Sequence, residues 1–434
     1  ETPNKDRLAP AFVKDIADVV NSQNGDSLPV SAFLPYADGT MPAGTSAYEK
    51  RGVAVMVPSW DPDKCIQCNS CAFVCPHAAI RPFLLTAEEA EKAPAGLKKA
   101  QGKAVLKEYS FALSVSVDDC TGCGNCVDVC PAKEKALTMV SALDQHSEQD
   151  NFNWLATKVG YKDTVVKNSQ FAQPLFEFSG ACAGCGETPY IKNITQLFGD
   201  RMMIANATGC SSIYGASFPA SPYCTNAQGH GPAWQNSLFE DNAEFGLGMK
   251  IGSDRARETV ANLMTAALDC DKCPDEVKAL FRQWLENKEN GGITREVADK
   301  VIPLMEKTDC PHCKKLLDYK HFIPARSQWI FGGDGWAYDI GYGGLDHVLA
   351  SGKNVNVLVL DTEVYSNTGG QSSKSTPAGA IAKFAASGKK IRKKDLGMMA
   401  ISYGYVYVAQ VAIGASPAQY LNAIKEAEAY DGPS

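Results

Sequence analysis

The stretch C-I-Q-C-N-S-C-A-F-V-C-P at residues 65–76 returns with the same cysteine and proline positions as C-T-G-C-G-N-C-V-D-V-C-P at residues 120–131. Each copy contains three closely spaced cysteines and a fourth that is followed by proline. In such a run three thiolates bind one 4Fe-4S cluster, and the fourth binds the cluster of the other copy. Proline ends the loop because it has no N–H group to continue a helix. The pair predicts a unit that carries electrons through two 4Fe-4S clusters.

This crossed pattern divides the eight cysteines into two sets of ligands. The first set is Cys65, Cys68, Cys71 and Cys130, and the second is Cys120, Cys123, Cys126 and Cys75. Zinc sites and disulfides are the alternatives. Zinc motifs usually pair two C-x-x-C knuckles and need no third cysteine at the same interval. Thiols spaced this closely could not all reach separate disulfide partners without strain. Both alternatives are therefore disfavoured.

Length, charge and cysteine content narrow the class of protein. A chain of 434 residues is long enough for two to three domains. Its net charge of -7 argues against a nucleic-acid-binding surface. Sixteen cysteines without a signal-peptide pattern at Glu1 predict a reducing compartment, the cytoplasm. The apolar stretch 398–416 contains Ser402, Gly404 and Gln410 and many β-branched and aromatic residues, so we expect a buried strand there and no transmembrane segment.

The chain is predicted to fall into three parts. Residues 1–58 are rich in proline, glycine and serine and show neither helical nor strand periodicity, which indicates a linker or wrapping arm without a core. Residues 59–145 form the small α+β two-cluster domain, whose insert at 81–111 carries a helical T-A-E-E-A-E-K-A-P-A-G-L-K-K-A-Q-G. Residues 146–434 alternate strands and helices, which predicts an α/β domain with a doubly wound, mostly parallel sheet and an insertion at about 265–322. Because the chain lacks an initiator methionine, we expect it to be a fragment.

Two polar turns in the α/β domain each follow a predicted buried strand. Residues 327–350 are predicted to form a strand, a glycine turn and a helix, and residues 354–371 a second strand with a polar turn. Ligands of such folds bind at the carboxyl ends of strands, where both turns fall. The carboxylate of Asp334, the hydroxyl of Thr362 and the backbone carbonyl of Val364 are suitable Mg²⁺ ligands. These turns predict a metal and diphosphate site.

The glycines at this site favour the same interpretation. Gly333 and Gly335 would permit close approach of a diphosphate, and helix N-termini would attract it. The arrangement resembles the thiamine diphosphate signature, a G-D-G followed by a second metal-binding turn. The commoner signature ends in Asn-Asn, whereas this chain has Thr362-Glu363, so a hydroxyl replaces an amide oxygen. The alternative is an ordinary strand-turn-helix in which the glycines serve geometry alone.

A third set of cysteines lies between the two regions. S-G-A-C-A-G-C-G-E-T-P-Y places Cys182 and Cys185 in a glycine-rich turn, and N-A-T-G-C-S-S-I-Y-G adds Cys210. Three thiolates suit another 4Fe-4S cluster, for which Cys224 or a residue beyond the C-terminus would be the fourth ligand. A C-x-x-C redox pair or zinc knuckle, with Cys210 unrelated, is the alternative.

The order of these motifs, with G-P-A-W-Q-N-S-L-F-E-D-N-A-E-F-G between them, resembles the C-terminal portion of the pyruvate:ferredoxin oxidoreductase family, a branch of the 2-oxoacid:ferredoxin oxidoreductases. The resemblance implies oxidative decarboxylation of pyruvate on thiamine diphosphate with Mg²⁺, and acetyl transfer to coenzyme A. Electrons would leave singly through three 4Fe-4S clusters to ferredoxin or flavodoxin. It also implies a homodimer, with neither a nucleic acid nor a membrane as partner. A relative acting on 2-oxoglutarate or another 2-oxoacid, and a non-catalytic polyferredoxin, are the alternatives.

The resemblance also assigns roles to individual residues. Cys182, Cys185 and Cys210 would hold the cluster nearest thiamine, whose fourth ligand would lie just beyond Ser434 unless Cys224 takes that role. Asn367 would face pyruvate as the catalytic candidate. The residues assigned to cofactor or Mg²⁺ contact are Gly333, Asp334, Gly335, Thr362, Val364, Cys210 and Ser212. The glutamate that activates thiamine belongs to the family's N-terminal portion, so we expect the isolated chain to be inactive.

Four cysteines remain outside these sites. They form the knuckles C-D-K-C-P, with Cys270 and Cys273, and C-P-H-C, with Cys310 and Cys313. Such knuckles are compatible with a structural zinc site in the insertion, although the segment between them is longer than in common zinc ribbons. Reduced thiol pairs and disulfides are the alternatives.

Overall fold

The computed structural model describes residues 9–158, 166–216 and 219–434. The chain divides into two compact units. The first unit comprises Glu1–Asp200, Cys210–Pro232 and Val411–Lys425. The second comprises Arg201–Gly209, Ala233–Gln410 and Glu426–Ser434.

Helices and strands alternate along most of the described chain. The strands are β1 (Met56–Trp60), β2 (Ile80–Leu85), β3 (Ala100–Gln101), β4 (Ser110–Val115), β5 (Leu137–Ser141), β6 (Met202–Ala207), β7 (Ala233–Ser237), β8 (Ser327–Gly333), β9 (Asn356–Leu360), β10 (Val364–Tyr365) and β11 (Gln371–Ser372). The α-helices are α1 (Asp18–Asn21), α2 (Ser70–Phe73), α3 (Ala87–Glu91), α4 (Asn125–Asp128), α5 (Glu148–Ala156), α6 (Val166–Ser169), α7 (Thr188–Phe198), α8 (Cys210–Gly215), α9 (Asn242–Leu268), α10 (Asp275–Glu286), α11 (Gly291–Met305), α12 (Pro311–Leu317), α13 (Tyr342–Ala350), α14 (Leu396–Ile401) and α15 (Pro417–Ala429). Two π-helical segments occupy Val13–Ala17 and Gly335–Ile340.

The two cysteine runs lie in an antiparallel framework within the first unit. Strand β1 pairs with β5, and β2, β4 and β3 form a second antiparallel sheet. The short helices α2 and α4 each contain the third cysteine of a run. The rings of Trp60 and Phe111 pack edge to face in the hydrophobic core of this framework, with their centroids 5.7 Å apart. The two runs therefore hold equivalent positions in a small α+β domain.

The insert between the runs is less helical than its sequence suggests. Within residues 86–102 only α3 is helical, and its first turn is closed by a capping box between Thr86 and Glu89. The helix ends before Pro94, which lacks the N–H group needed to continue it. The following residues instead lead into β3, so the predicted helix over residues 86–102 is wrong beyond Glu91.

The first 58 residues contain a small core that their composition does not suggest. Phe12, Val13, Ile16 and Ala17 are buried along one face of a helical segment, and the ring of Tyr36 packs edge to face on Phe12 at 5.0 Å. These apolar residues recur at three- and four-residue intervals, the period of a helix. The expectation that this part has no core is therefore wrong at residues 12–17.

A parallel four-stranded sheet forms the centre of the second unit. Its strand order is β7-β6-β8-β9, and all three pairings are parallel. Helix α9 packs closely against the sheet at Gly246. A side chain would not fit there, because its Cβ would lie 2.5 Å from a side-chain carbon of Ile330 in β8. Because Gly333 pairs with Leu360, strands β8 and β9 end side by side. The residues that follow both strands therefore meet at one edge of the sheet, as expected for an α/β fold.

Residues 398–416 differ from the prediction. The stretch begins within α14, and the described residues from 402 to 416 contain no strand. The side chain of Asp395 accepts a hydrogen bond from the Met398 N–H at 2.9 Å, which favours a helix start at this point. Met398 is 60% exposed and Ile401 50%, so the predicted buried strand is wrong. No helix among the described residues combines the length and apolarity that crossing a membrane requires.

The expected insertion in the second unit is helical. Helices α10, α11 and α12 pack with the C-terminal part of α9 around a separate group of buried side chains. Phe281, Trp284 and Val301 are fully buried there, and the indole N–H of Trp284 donates to the Ile323 carbonyl at 2.7 Å. The insertion therefore has its own hydrophobic core.

Candidate cluster and cofactor sites

The structure gathers the eight cysteines of the repeated runs around two cavities. One cavity is lined by Cys65, Cys68, Cys71 and Cys130. The other is lined by Cys75, Cys120, Cys123 and Cys126. These are the two sets that the crossed pattern predicts, because each cavity takes its fourth cysteine from the other run.

The chemistry of both cavities suits a bound cluster. Apolar side chains such as Trp60, Leu113 and Ile80 complete the linings. Burial raises the pKa of the Cys120 thiol to about 12 and raises the pKa of Cys71 well above its usual value. Thiolates in such surroundings need a positively charged partner, which the irons of a cluster supply.

The two cluster loops share one backbone shape. Gln67 and Asn69 have left-handed φ angles of 59° and 61°, and Gly122 and Gly124 have 70° and 80° at the equivalent positions. The Gln67 N–H donates to the Cys65 sulfur at 3.3 Å, and the Gly122 N–H donates to the Cys120 sulfur at 3.4 Å. Left-handed residues thus turn backbone N–H groups toward the sulfurs in both loops.

Lys192 is a buried cation that the sequence does not single out. Its ammonium donates to the carbonyls of Ala72 and Phe73, the latter at 3.1 Å, and to Gln170 Oε1 at 3.2 Å. Burial lowers its pKa to about 7, while the thiolates of Cys75 and Cys71 act in the opposite direction. Lys192 thus donates hydrogen bonds to the carbonyls of α2, the helix that contains Cys71 of one cavity and is followed by Cys75 of the other. Its position on the amphipathic helix α7 would ordinarily indicate a surface residue.

The third set of cysteines lies in the same unit as the two cavities. The Cys185 N–H donates to the Cys182 carbonyl at 3.1 Å, which closes the C-x-x-C turn. Cys210 begins α8, and Tyr214 of this helix donates from its hydroxyl to Glu187 at 2.8 Å, next to the turn. The structure therefore brings the helix that carries Cys210 to the turn that carries the other two thiols.

This turn also approaches one of the two cavities. A Cβ at Gly184 would lie 3.6 Å from the Cβ of Cys123, and His77 places its Nε2 3.3 Å from the Cys182 carbonyl. Burial lowers the pKa of His77, which favours the neutral ring. The third set therefore adjoins the cavity lined by Cys123.

Two further predicted residues lie near the third set in sequence. Cys224 is fully buried, donates from its thiol to the Pro174 carbonyl at 3.5 Å and packs against Gly44. Burial raises its pKa well above the usual value. Ser212 is buried within α8. Both assignments stay predictions.

In the second unit, the predicted Mg²⁺ ligands meet at the edge of the sheet. The Thr362 hydroxyl lies 3.1 Å from Asp334 Oδ1 and 3.1 Å from the Val364 carbonyl oxygen, and the Thr362 N–H donates to Asp334 Oδ1 at 3.2 Å. Neighbouring oxygens that share an octahedral Mg²⁺ lie about 3.0 Å apart, given metal-oxygen distances near 2.1 Å. The distances from the Thr362 hydroxyl to the other two oxygens are therefore compatible with a shared Mg²⁺.

The electrostatics of Asp334 also fit a cation. Its side chain is almost completely buried. Burial raises its pKa, although the hydrogen bonds from Ser373 and Thr362 act in the opposite direction. Nearby Asp361 is bound instead by Lys393 at 2.7 Å. Among the described residues no lysine or arginine forms an ion pair with Asp334. Its carboxylate thus lacks the counter-charge that a metal ion would supply.

Ser373 is a site residue that the sequence reasoning missed. Its hydroxyl donates to Asp334 Oδ2 at 2.5 Å, which leaves the other oxygen of that carboxylate facing Thr362. The available signal was the serine- and threonine-rich segment 372–376, which follows the glycine pair at 369–370 after Gln371. Such short hydroxyl side chains commonly orient a neighbouring carboxylate.

Gly335 is required by the packing of a tyrosine. A Cβ at this position would lie 2.4 Å from the ring of Tyr365, whose hydroxyl donates to Asp339 at 3.1 Å. At Gly333 a Cβ would meet nothing nearer than the Leu360 carbonyl at 3.8 Å. Asn367 lies exposed on the turn after β10, and its catalytic role stays a prediction.

Replacing Gly335 with alanine is expected to lower the free energy of unfolding by about 1–3 kcal/mol, because the new methyl group displaces the Tyr365 ring. Thermal or denaturant unfolding without cofactor would measure this change. Gly333→Ala is the matched control and should change stability by less than about 1 kcal/mol. Equal effects of the two substitutions would contradict this account of Gly335.

Three family models match separate parts of the chain. A 4Fe-4S dicluster domain matches residues 64–134, and the C-terminal TPP binding domain of thiamine pyrophosphate enzymes matches residues 317–434. A domain of unknown function matches residues 1–54. The first two matches cover the paired cavities and the Asp334 site.

Several curated proteins are similar to the chain over nearly its whole length. Pyruvate-flavodoxin oxidoreductase of Klebsiella pneumoniae is 60% identical over 98% of this chain and 37% of that protein. Pyruvate:ferredoxin oxidoreductase of Moorella thermoacetica is 55% identical with the same coverage. Pyruvate dehydrogenase [NADP(+)] of Cryptosporidium parvum is 50% identical over 98% of this chain and 24% of that protein. The chain thus spans little more than a third of the first two relatives.

Solved structures also match the chain. One of them is a 2-oxoglutarate:ferredoxin oxidoreductase from Magnetococcus marinus with 2-oxoglutarate, coenzyme A and succinyl-CoA bound. Its match to the present chain has 13% sequence identity and a TM-score of 0.33, and it covers 59% of the present chain and 62% of the solved chain. A likeness of this size carries no argument about the site.

Proposed function

Because the chain is homologous over 98% of its length to a part of the pyruvate-flavodoxin and pyruvate:ferredoxin oxidoreductases, we propose that it supplies the diphosphate-binding half and the electron-transfer clusters of such an enzyme. The whole enzyme would oxidatively decarboxylate pyruvate to acetyl-CoA and CO₂. The observation that carries this proposal is the buried Asp334 carboxylate, which meets Thr362 and the Val364 carbonyl at the ends of two adjacent strands.

At the cofactor site, Asp334, Thr362 and the Val364 carbonyl would hold Mg²⁺, and Mg²⁺ would hold the diphosphate of thiamine diphosphate. When bound, thiamine diphosphate supplies the carbanion chemistry that decarboxylation of a 2-oxoacid needs. Ser373 orients Asp334 through its 2.5 Å hydrogen bond, and Lys393 keeps Asp361 engaged as an ion pair. The residues of this chain thus bind and orient the cofactor, and Asn367 would face the substrate.

We propose three 4Fe-4S clusters in the first unit, arranged as a relay. Cys182, Cys185 and Cys210 would hold the cluster that receives electrons first. The contact of Gly184 with Cys123 supports the cavity of Cys75, Cys120, Cys123 and Cys126 as the second station. The cavity of Cys65, Cys68, Cys71 and Cys130 would then be the last station, because the two cavities share the crossed cysteine runs. Electrons would leave it singly for ferredoxin or flavodoxin.

The remaining assignments concern the setting of the enzyme. Pyruvate, coenzyme A, a second copy of the chain and the N-terminal portion of the same enzyme are the proposed partners. The named activities of the curated relatives support pyruvate over 2-oxoglutarate as substrate. Sixteen cysteines without a disulfide support a reducing compartment, the cytoplasm.

Anaerobic reduction of a viologen dye tests the proposed activity. We expect the full-length protein to reduce the dye when pyruvate, coenzyme A and thiamine diphosphate are all supplied, and the isolated 434-residue chain to remain inactive until the N-terminal portion is added. Faster reduction with 2-oxoglutarate would favour the related enzyme. Cluster absorbance without thiamine diphosphate binding would favour a polyferredoxin carrier. Pyruvate-dependent activity of the isolated chain would contradict the division of labour proposed above.

A further inference from the structure

Four cysteines of the helical insertion play no part in the cluster or cofactor sites. Two follow the end of α9, and two lie at the start of α12, where one is the N-cap and the other is inside the helix. These four residues, called the insertion thiols below, are Cys270, Cys273, Cys310 and Cys313. The two C-x-x-C segments come together although 36 residues separate Cys273 from Cys310 in the sequence.

Three of the insertion thiols lie at metal-ligand spacing from one another, and the fourth, Cys270, lies beside one of them but outside the group of three. The Cys270 and Cys310 sulfurs are 3.6 Å apart, and the Cys273 and Cys313 sulfurs are 3.9 Å apart. The sulfurs of Cys273, Cys310 and Cys313 all lie within 4.8 Å of one another. Four thiolates bound tetrahedrally to zinc at about 2.3 Å lie about 3.8 Å apart. A disulfide would require about 2.05 Å, so the observed spacing matches a shared metal better than two disulfides.

The backbone at each pair has the form of a metal knuckle. The Cys273 N–H donates to the Cys270 carbonyl at 3.0 Å, which turns both side chains to one side. At the second pair, the Lys314 N–H donates to the Cys310 carbonyl at 3.1 Å. The first C-x-x-C segment therefore presents its two sulfurs from a tight turn, and the second presents them from the first turn of α12, both arrangements that occur in structural zinc sites.

The surroundings suit a structural ion rather than a reactive one. Cys273, Cys310 and Cys313 are buried, and Cys270 is half-buried. They belong to the same hydrophobic core as Phe281 and Leu316. With Cys270, whose sulfur lies 3.6 Å from that of Cys310, the site would offer four sulfur ligands and leave no open position for a substrate, as expected of a structural zinc ion.

We propose that the insertion thiols bind one zinc ion that fastens the end of α9 to the start of α12. The ion closes the insertion in the way that a disulfide closes a small domain, but in a compartment where thiols stay reduced. A mononuclear iron would accept the same four ligands, so the metal has to be identified directly. The many irons expected elsewhere in the protein make an element-specific measurement necessary.

Zinc content and X-ray absorption at the zinc edge test this proposal on the full-length protein. We expect about one zinc per chain, surrounded by four sulfurs at about 2.3 Å. Cys273→Ser should lower the zinc content at least about tenfold, because the remaining three thiolates bind the ion far more weakly. Lys272→Ser, a change at the exposed residue between two of the ligands, should retain the zinc and is the matched control. Both variants should keep the iron content of the parent protein.

Three results would overturn the proposal. The zinc edge could be absent, with all the insertion thiols open to alkylation in the protein as purified. The insertion thiols could instead need a reductant before they react, which would show disulfides. An additional iron per chain, lost in Cys273→Ser, would show a mononuclear iron site. Because the first measurement uses the unaltered protein, poor folding of Cys273→Ser would not prevent a decision.

Discussion

Replacing Asp334 with asparagine is expected to weaken binding of Mg²⁺ and thiamine diphosphate by the full-length protein at least about a hundredfold, since changing a residue that only supports a metal ligand already costs 10–100-fold. The amide removes the negative charge that offsets the ion, and it presents one oxygen where the carboxylate has two. Isothermal titration with thiamine diphosphate and Mg²⁺ would measure the loss. Pyruvate-dependent dye reduction should fall with it.

The stability of the variant separates lost binding from lost folding. Without cofactor, Asp334 is a buried carboxylate whose pKa is raised by desolvation, so it opposes folding at neutral pH. Asp334→Asn should therefore unfold no earlier than the parent protein when cofactor is absent. Asp346→Asn is the control, because Asp346 accepts a hydrogen bond from Tyr403 at 2.6 Å and has no proposed ligand. Cofactor binding by Asp334→Asn at parental affinity would contradict the proposed metal site.

Serine substitutions in pairs are expected to reveal which cysteines share a cluster. Cys65→Ser and Cys130→Ser affect the same cavity, so the double variant should lose about four irons, no more than either single variant that releases its cluster. Cys65→Ser with Cys75→Ser affects both cavities and should lose about eight. Iron and acid-labile sulfide analysis of the anaerobically purified full-length protein would measure these losses.

The comparison works because Cys75 and Cys130 hold the same place in their runs. If each run held its own cluster, Cys65 and Cys75 would share one, and the two double variants would exchange results. Cys224→Ser is the control, because this thiol lines neither cavity, and it should not change the iron of these two clusters. Electron paramagnetic resonance of the reduced protein would distinguish a cluster that is retained in altered form from a cluster that is lost.

The sequence predicted well where a motif carries its own geometry. The spacing of the cysteines anticipated which four line each cavity, because short intervals between ligands leave the backbone few alternatives. The order of strands and polar turns similarly anticipated that Asp334 and Thr362 would meet, since parallel strands end at one edge of a sheet. The resemblance drawn from these motifs is confirmed by the homologous proteins.

Prediction failed for residues whose role depends on packing against parts of the chain that are distant in sequence. Lys192 acts through partners distant in sequence, so no local pattern identifies it. The run of hydroxyl residues around Ser373 does not show which of its members reaches Asp334. The sequence suggests close approach of a diphosphate as the reason for Gly335, whereas in the structure the ring of Tyr365 also packs against this glycine. The apolar residues near Met398 resembled a strand, but the Asp395 cap starts a helix there.

The two cluster loops show how a duplicated segment can diverge without changing its shape. The second loop obtains its left-handed turns from glycine, the residue that adopts them most readily. The first loop uses Gln67 and Asn69, whose side chains bond to the backbone outside the loop: Gln67 to the Gln101 carbonyl at 2.8 Å and Asn69 to the Lys167 carbonyl at 2.7 Å. The insert that contains Gln101 thus supports the first loop. Deleting the insert would remove the backbone acceptor of the Gln67 side chain, so the first loop would need a replacement for that bond.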